Sequence, residues 1–429
     1  MEIIDNPNKE KWKEICSRLT SSYNENEEIV SEIFKDVETM GDEALTKYTL
    51  KYDNVLIKNF LVSETEISNS VDNVDSKLKK AITVAYNNIH KFHSAQKSNE
   101  ILIETSKGVE CWQKKYPIEK VGLYIPGGTA PLFSTLLMLA IPARIAGCEE
   151  IIVCTPPDID GKISNVILYT AFLCGIKKLY KIGGIQSIAA LSIGTVSIPK
   201  VYKIFGPGNQ FITSAKQYAL KYNVSIDLPA GPSEVLIVAD KTCNPSFVAI
   251  DLLAQAEHGK DSQSILVAND KDVIKSVSKE INKIISKLDR KYILNDSIKN
   301  LKFIIFNNDS DAINFINYYA PEHYMICVEK KQFYINGLKN AGSVFIGNFS
   351  PETLGDYASG TNHTLPTGGF ARQYSGVNLD SFLKSITFQK ITKDGIKNIG
   401  PHVELLADAE GLGAHKMSVT LRLKEIQND

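Results

Sequence analysis

The stretch LAQAEHGKDSQ, residues 253–263, carries an apolar helical pattern that ends in Gln255, Glu257 and His258 just before Gly259. Gln255 and His258 stand three apart and share a helix face, while Glu257 points elsewhere. An amide and an imidazole on the last turn of a helix, beside a loop, can reach a ligand or a metal. Gly259 is expected to close the helix in the left-handed conformation that glycine adopts without steric cost. Five of the seven histidines fall between residues 258 and 415, each in a polar setting. APEH (320–323) sets Glu322 beside His323 after a proline. LGDYASGTNH (354–363) holds Asp356 and His363 in a Gly/Ser/Asn loop, AEGLGAHK (409–416) adds Glu410 and His415, and DLPAGPSE (227–234) places Ser233 at the mouth of a strand.

Each of these taken singly has an ordinary reading. Neighbouring acid–histidine pairs are commonly surface ion pairs, a serine in GPSE is a turn residue or cap, Asp356 is a turn cap and His415 a helix residue. As a set, Gln255, His258, Asp356 and His415 make a mixed nitrogen and oxygen donor group suited to zinc, although spacing alone does not select those four. Two backbone turns, GPGN (206–209) and the PGG after VGLYI, would let a phosphate approach a helix N-terminus. The full G-x-G-x-x-G fingerprint with its ribose-binding acid is absent, so any dinucleotide site departs from the usual pattern. His90 and His93 imitate a metal pair on one helix face but lack acidic or cysteine neighbours; a solvated or packing role suits them better. Cys154, at the end of IIVCTPP, reads as a small buried side chain rather than a nucleophile.

Elements that could position these groups follow from the hydrophobic pattern. From the start to about Lys107 the spacing is helical, as in IVSEIFKDVETMGDEALTKYT and KLKKAITVAYNNIHKFHSAQK. At Val121 it changes to short apolar strands alternating with helices: VGLYI, EIIVCTPP, KKLYKIGG and KVYKIFGPGN. A second such run holds EVLIVAD, QSILVAND, KFIIFN, HYMICV and GSVFIGN. Alternation of this kind implies parallel sheets with helices on their faces, and two runs imply two related α/β lobes. From about Pro366 the pattern thins into a loop or extended arm, and a helical tail from Asn398 has little core of its own.

The 429 residues are 43% hydrophobic and 23% charged with a net charge of −1. That near-neutral balance argues against nucleic acid or an anionic membrane as the main partner. The longest apolar run, about Leu132 to Ala146, is too short and too interrupted to span a bilayer. The first residues lack a signal or transit pattern, so a cytoplasmic protein is expected. Seven cysteines without a CxxC pair argue against a disulfide framework or a cysteine-zinc knot.

Taken in order, VGLYIPGGTAPLFST, IFGPGN, IDLPAGPSE, DLLAQAEHGKDSQ, APEH, GDYASGTNHTLPT and EGLGAHK resemble the histidinol dehydrogenase family. The resemblance runs from about Val121 to Arg422 and more loosely through the N-terminal helices; Gly413 stands where the family often has threonine. It implies two incomplete Rossmann-like parallel-sheet lobes, with N-terminal helices and an extended C-terminal tail. The expected division is 21–120 with 234–365 as a metal and substrate lobe, 121–233 as an NAD lobe, and 1–20 with 366–429 as an arm and tail for dimerisation. It further implies an NAD-dependent, zinc-containing homodimer that oxidises L-histidinol through L-histidinaldehyde to L-histidine.

By the same resemblance zinc is held by Gln255, His258, Asp356 and His415, completed by the substrate's imidazole and amino nitrogens. Ser233, His323, His363 and Glu410 line the histidinol site, with Glu410 and His415 arriving from the other subunit. Tyr124, Gln186 and Asn209 match the NAD-contacting positions. His323 is the expected base for the alcohol proton, and Glu322 the group that activates water on the aldehyde. Two alternatives share parts of this set. A paralogue acting on another small alcohol would keep the sheet, zinc and NAD positions, and a zinc hydrolase would use the same ligands with Glu322 as base but lacks the HExxH helix of many zincins.

Overall fold

Runs such as Val235–Val238 and Ile265–Val267 are apolar without alternation, and in the computed structural model they are buried on both faces, as strands inside a parallel sheet must be. The structure describes residues 2–18, 23–127, 131–229, 231–288 and 291–428. They group into two units, Met1–Gln96 with Glu119–Ser381, and Lys97–Ile118 with Phe382–Asp429.

The larger unit contains two parallel sheets. One comprises β4 (Lys120–Tyr124), β5 (Glu150–Thr155), β6 (Lys178–Lys181), β7 (Lys203–Phe205) and β8 (Ser225–Ile226), in the order β6-β5-β4-β7-β8. The other comprises β1 (Glu2–Asp5), β9 (Glu234–Ala239), β10 (Gln263–Ala268), β11 (Lys302–Ile305), β12 (His323–Cys327) and β13 (Ser343–Ile346), in the order β1-β11-β10-β9-β12-β13. Apart from β1, both sheets follow one scheme. The first strand lies centrally, the next two extend to one side, and the last two lie on the other. This is the half-Rossmann order, and it reverses direction beside β4 in one sheet and beside β9 in the other. Helices Tyr23–Met40 and Asp42–Asp53 share a core with the five-stranded lobe, where Phe34, Leu45 and Tyr48 pack with Ile188, Leu191 and Ile212. The apolar stretch at 132–146 becomes the helix Phe133–Ala146, buried along most of its length.

The smaller unit is an antiparallel sheet, order β14-β3-β2, of β2 (Ile101–Ser106), β3 (Val109–Pro117) and β14 (Leu383–Ile391), followed by helices Lys393–Ala409 and Gly413–Asn428. Here the structure corrects two expectations. Residues up to Lys107 are not helical throughout: Glu2–Asp5 pairs with β11, and Ile101–Ser106 is one arm of a hairpin. Lys107 and Gly108 connect its two arms, with Gly108 at a φ of 78°, a left-handed conformation that glycine adopts without steric cost. The tail is likewise less extended than its sequence suggests. Its first helix starts at Lys393, capped by the Thr392 hydroxyl on Gly395 N–H, and only Gly395, Gly400 and Ala407 of the two helices are buried.

Candidate active site

The helix Asp309–Tyr319 ends at Ala320, a buried residue with a φ of 53°. A non-glycine residue in that left-handed conformation costs about 1–2 kcal/mol. With Pro321 next, it turns the chain sharply so that Glu322 and His323 open β12. In the neighbouring strand His323 faces Val235, which brings the dyad beside Glu234 at the start of β9. Glu322 and His323 are both buried. Glu322 Oε2 accepts the Glu234 N–H (2.8 Å), and His323 Nδ1 lies 3.1 Å from the Glu234 carbonyl. That carbonyl can only accept, so Nδ1 carries the proton. His323 Nε2 lies 3.3 Å from Asp356 Oδ1, and the ring stacks on Phe345.

These groups line a cavity of about 420 Å³. Ser233, His258, Glu322, His323, Glu352, Asp356 and His363 border it from the six-stranded lobe. Pro126, Pro207, Gly208 and Asn209, at the carboxyl ends of β4 and β7, border it from the five-stranded lobe. His363 is held at both nitrogens, Nδ1 2.8 Å from the Asp356 carbonyl and Nε2 3.0 Å from Thr135 Oγ1. Burial lowers its pKa, which suits a neutral ring donating to the carbonyl and accepting from the hydroxyl.

Charge in the cavity is unevenly spread. Burial raises the Glu322 pKa, only partly offset by His323. Burial also opposes the His323 imidazolium, yet the Glu322 charge and the Asp356 hydrogen bond hold its pKa well above the ordinary histidine value. For Asp356, burial is outweighed by His323, His363 and His258, and its pKa falls. Glu352 is pushed well above the carboxylate range by burial, with Asp356, Asp251 and Glu322 adding to the shift, and its Oε2 is buried without a partner.

The sequence-predicted residues are only partly gathered. Ser233, Asn209, His258, Glu322, His323, Asp356 and His363 meet in one cavity. Gln255 is buried behind it; with its amide oriented to satisfy both ends, Nε2 donates to Glu352 Oε1 and Oε1 accepts from Glu234 N–H, each at 3.1 Å. Tyr124 and Gln186 do not line the cavity. Tyr124 ends β4 with its phenol at the backbone of Gly184, and Gln186, in the helix Gly184–Ile193, is fully buried with neither amide atom partnered. Asn209 caps the helix Gln210–Ala219 through Phe211 and Ile212 N–H. Glu410 and His415 are exposed in the smaller unit, Glu410 after the helix Lys393–Ala409 and His415 early in Gly413–Asn428.

Two local expectations change. Gly259 does not take the left-handed conformation. The helix ends at Ala256, and a tighter turn, His258 N–H to the Gln255 carbonyl, leaves Gln255 buried but His258 exposed to the cavity. Asp356 sits on a helix, Glu352–Tyr357, rather than in a loop. Of the PGG turn, Gly128 lies outside the described residues; in GPGN, a side chain at Gly206 (φ 133°) would strike the Tyr124 carbonyl, which explains that glycine. Cys154 is fully buried and its thiol pushed up by burial, so it is a core residue. His93 is buried against the Ile89 carbonyl and Asn362, a packing role.

Sequence reading missed Glu352, Thr135 and Glu234. The one available signal was Glu352 standing four residues before Asp356, hence on the same helix face.

Among the described residues, no three His, Cys, Asp or Glu side chains form a ready metal cluster. The donors nonetheless suit a divalent cation: His258 and Asp356 share the cavity, Gln255 stands behind it, and the partnerless Glu352 Oε2 lies in a crowd of carboxylates around one imidazole.

The family model described as histidinol dehydrogenase matches residues 16–423. A histidinol dehydrogenase of Bacteroides thetaiotaomicron is 49% identical over 427 residues, all of both chains. One from Campylobacter jejuni is 48% identical over 99% of each. The chloroplastic protein of that name from Arabidopsis thaliana is 49% identical over 93% of this chain and 86% of its own. The crystal structure of histidinol dehydrogenase from Elizabethkingia anophelis, 50% identical, superposes with a TM-score of 0.97, covering 100% of this chain and 99% of that one.

Proposed function

The chain belongs to the histidinol dehydrogenase family, and from that premise we propose how its cavity works in the NAD-dependent oxidation of L-histidinol, through L-histidinaldehyde, to L-histidine in histidine biosynthesis. The observation that carries the reading is the placement of Glu322 and His323 together at the cavity wall, facing the GPGN edge of the other sheet.

Because His323 keeps its Nδ1 proton on the Glu234 carbonyl, Nε2 is the nitrogen that exchanges the substrate's proton. In the first half-reaction the neutral ring of His323, its Nε2 unprotonated, takes the alcohol proton while hydride leaves carbon for NAD. The aldehyde has no second hydride to give until water adds to it. Glu322, its pKa raised by burial, takes a proton from that water as the water oxygen bonds to the aldehyde carbon. The Nε2–H of His323 returns its proton to the carbonyl oxygen, so that a gem-diol forms and the ring is neutral again. Nε2 then takes a diol proton as hydride leaves for a second NAD, giving the carboxylic acid, which ionises to the carboxylate by releasing a further proton to solvent. Consumption is one water and two NAD per histidinol.

A zinc ion would be held by Gln255, His258, Asp356 and His415 of the partner subunit, and when bound it supplies a clamp for the substrate's imidazole and amino nitrogens, reducing the entropy cost of alignment. Ser233, His363 and Glu410 of the partner subunit complete the substrate site. Tyr124, Gln186 and Asn209 serve NAD; the partnerless Gln186 amide supports that role, since a buried amide without hydrogen bonds is costly unless a ligand uses it. A homodimer is supported by the tail: Leu405, Leu406, Met417 and Leu421 are 53–69% exposed, an apolar face suited to a second copy. Among the described residues no helix is long and apolar enough to cross a membrane, and a cytoplasmic location fits a biosynthetic enzyme.

The deciding experiment is to supply histidinol with excess NAD to the purified, zinc-loaded protein. Two equivalents of NADH and one of histidine are expected. A stop at one equivalent, with aldehyde accumulating, would refute the two-step assignment to one cavity.

A further inference from the structure

Behind the dyad, on the side away from the cavity, lies a charged group far away in sequence. Arg18 follows the short helix Trp12–Ile15, and its guanidinium grips Glu234 in a two-pronged pair, Nε to Oε1 at 2.9 Å and Nη2 to Oε2 at 3.2 Å. Nη2 also donates to the Tyr319 carbonyl (2.7 Å) and Nη1 to the Cys16 carbonyl (3.1 Å). The guanidinium plane lies over the Tyr319 ring, 4.0 Å from its centre. Glu234 Oε1 accepts a further bond, from Gly368 N–H at 2.8 Å. One ion pair thus ties together the N-terminal segment, the start of β9, the end of the helix leading to Glu322, and the 364–369 loop that follows His363.

The same Glu234 presents its backbone to the dyad. Its N–H fixes Glu322 Oε2, and its carbonyl fixes His323 Nδ1. A buried ion pair is a poor stabilising device, because desolvating both charges offsets most of their attraction. What it provides is direction, since a fork of donors meets a carboxylate in one geometry only. We propose that Arg18 is a positioning residue for the reaction. Through Glu234 it sets which Glu322 oxygen and which His323 nitrogen face the substrate. This rests on the reading of Glu322 and His323 as the acid–base pair. Lysine cannot replace it, because a single ammonium cannot hold both carboxylate oxygens and two carbonyls in one plane.

The test uses the full-length zinc-loaded protein carrying Arg18→Lys or Arg18→Ala, with folded fraction followed by circular dichroism and metal content by elemental analysis. A lost alignment of about 1 Å is expected to lower kcat on histidinol about 10- to 100-fold per folded site, with KM for histidinol and NAD changing less than about threefold. Adding methylguanidinium to Arg18→Ala should restore part of that kcat and do nothing for Arg18→Lys. A merely structural role would lower the folded fraction and leave kcat per folded site intact, and that result overturns the proposal. Should Arg18→Ala not fold, Glu234→Asp, which keeps the charge but shortens its arm, decides the matter: unchanged kcat overturns it and a fall of the same size supports it. Glu322→Gln and His323→Asn are assayed alongside. If those two keep full activity, the acid–base reading itself has failed, an outcome distinct from full activity in Arg18→Lys alone.

Discussion

Lys216 and Asp227 make the sharpest energetic claim that the structure allows. Both side chains are almost wholly buried, and the ammonium spends all three of its N–H bonds: on the Gly206 carbonyl (2.8 Å), on the Leu228 carbonyl (3.1 Å) and on Asp227 Oδ1. Asp227 in turn accepts from Gly206 N–H (2.8 Å) and Leu228 N–H (2.6 Å). Lys216→Met keeps the volume but strands a buried carboxylate and two carbonyls. Breaking one side of a buried pair costs about 3–5 kcal/mol, and the surviving backbone bonds to Asp227 should hold the loss near the middle, about 4 kcal/mol. In Lys216→Met/Asp227→Asn the stranded charge is gone, so adding Asp227→Asn should recover about 2 kcal/mol. Urea unfolding of wild type, both single variants and the double variant at one protein concentration gives the coupling. Because Gly206 opens the GPGN turn, the single variant should also raise KM for NAD more than KM for histidinol. A loss below about 1 kcal/mol, or strict additivity of the two changes, would refute the reasoning.

Four further outcomes are expected. Glu322→Gln should slow single-turnover NADH formation from histidinaldehyde by about two to four orders of magnitude and spare histidinol's first hydride, whereas His323→Asn should slow both; equal effects of Glu322→Gln on the two substrates would contradict the division of labour. His258→Ala and Asp356→Ala should fold yet lose bound metal by elemental analysis, and full zinc occupancy in either removes that residue from the ligand set. Mixing inactive His258→Ala with inactive His415→Ala should restore partial activity through hybrid dimers; exchange of subunits without any recovery would place the site within one chain. Asp251, buried on the helix that carries Gln255, has its pKa raised by burial to about 6. A raised carboxylate pKa means the folded state loses stability as pH climbs from about 4 to 6 and stays penalised above. Asp251→Asn should therefore gain stability, by at most about 3 kcal/mol at pH 7 and roughly half that at pH 5. A gain that grows toward acid pH would show the sign to be wrong.

The sheets were legible in the sequence because a buried parallel strand is a short apolar run with few rivals. EVLIVAD and QSILVAND lie where the pattern puts β9 and β10. Strands whose stability comes from a distant partner were not legible. EIID is a strand only because β11 lies beside it, and LKSITFQKI only because β3 does. The same contrast runs through the site. Histidines and acids in loops announce themselves by type, but Thr135, Glu234 and Arg18 act through hydrogen bonds to residues up to 301 positions away. No local spacing encodes such a pairing. Gln255 is the intermediate case, since its amide is conspicuous only beside His258 and its role depends on Glu352 across the fold.

The two lobes share a strand order but use opposite edges of it. Asn209 and the turn after Tyr124 follow β7 and β4, at the carboxyl edge where open α/β sheets usually receive ligands. Ser233, Ser262, Glu322 and His323 instead precede or open β9, β10 and β12, at the amino edge of the second sheet. The cavity therefore lies where the carboxyl edge of one half-Rossmann sheet meets the amino edge of the other. That placement has a chemical consequence. At the carboxyl edge, backbone N–H groups and helix N-termini favour anions, which suits the phosphates of NAD. At the amino edge of the second sheet, by contrast, the acid-rich set Glu322, Glu352 and Asp356 collects around His323. In the function proposed above, a cationic substrate and a metal bind on that side, and hydride crosses from it to NAD at the carboxyl edge of the first sheet. On that proposal one strand order, used once from each end, would supply an electron acceptor's site and an electron donor's site that face each other.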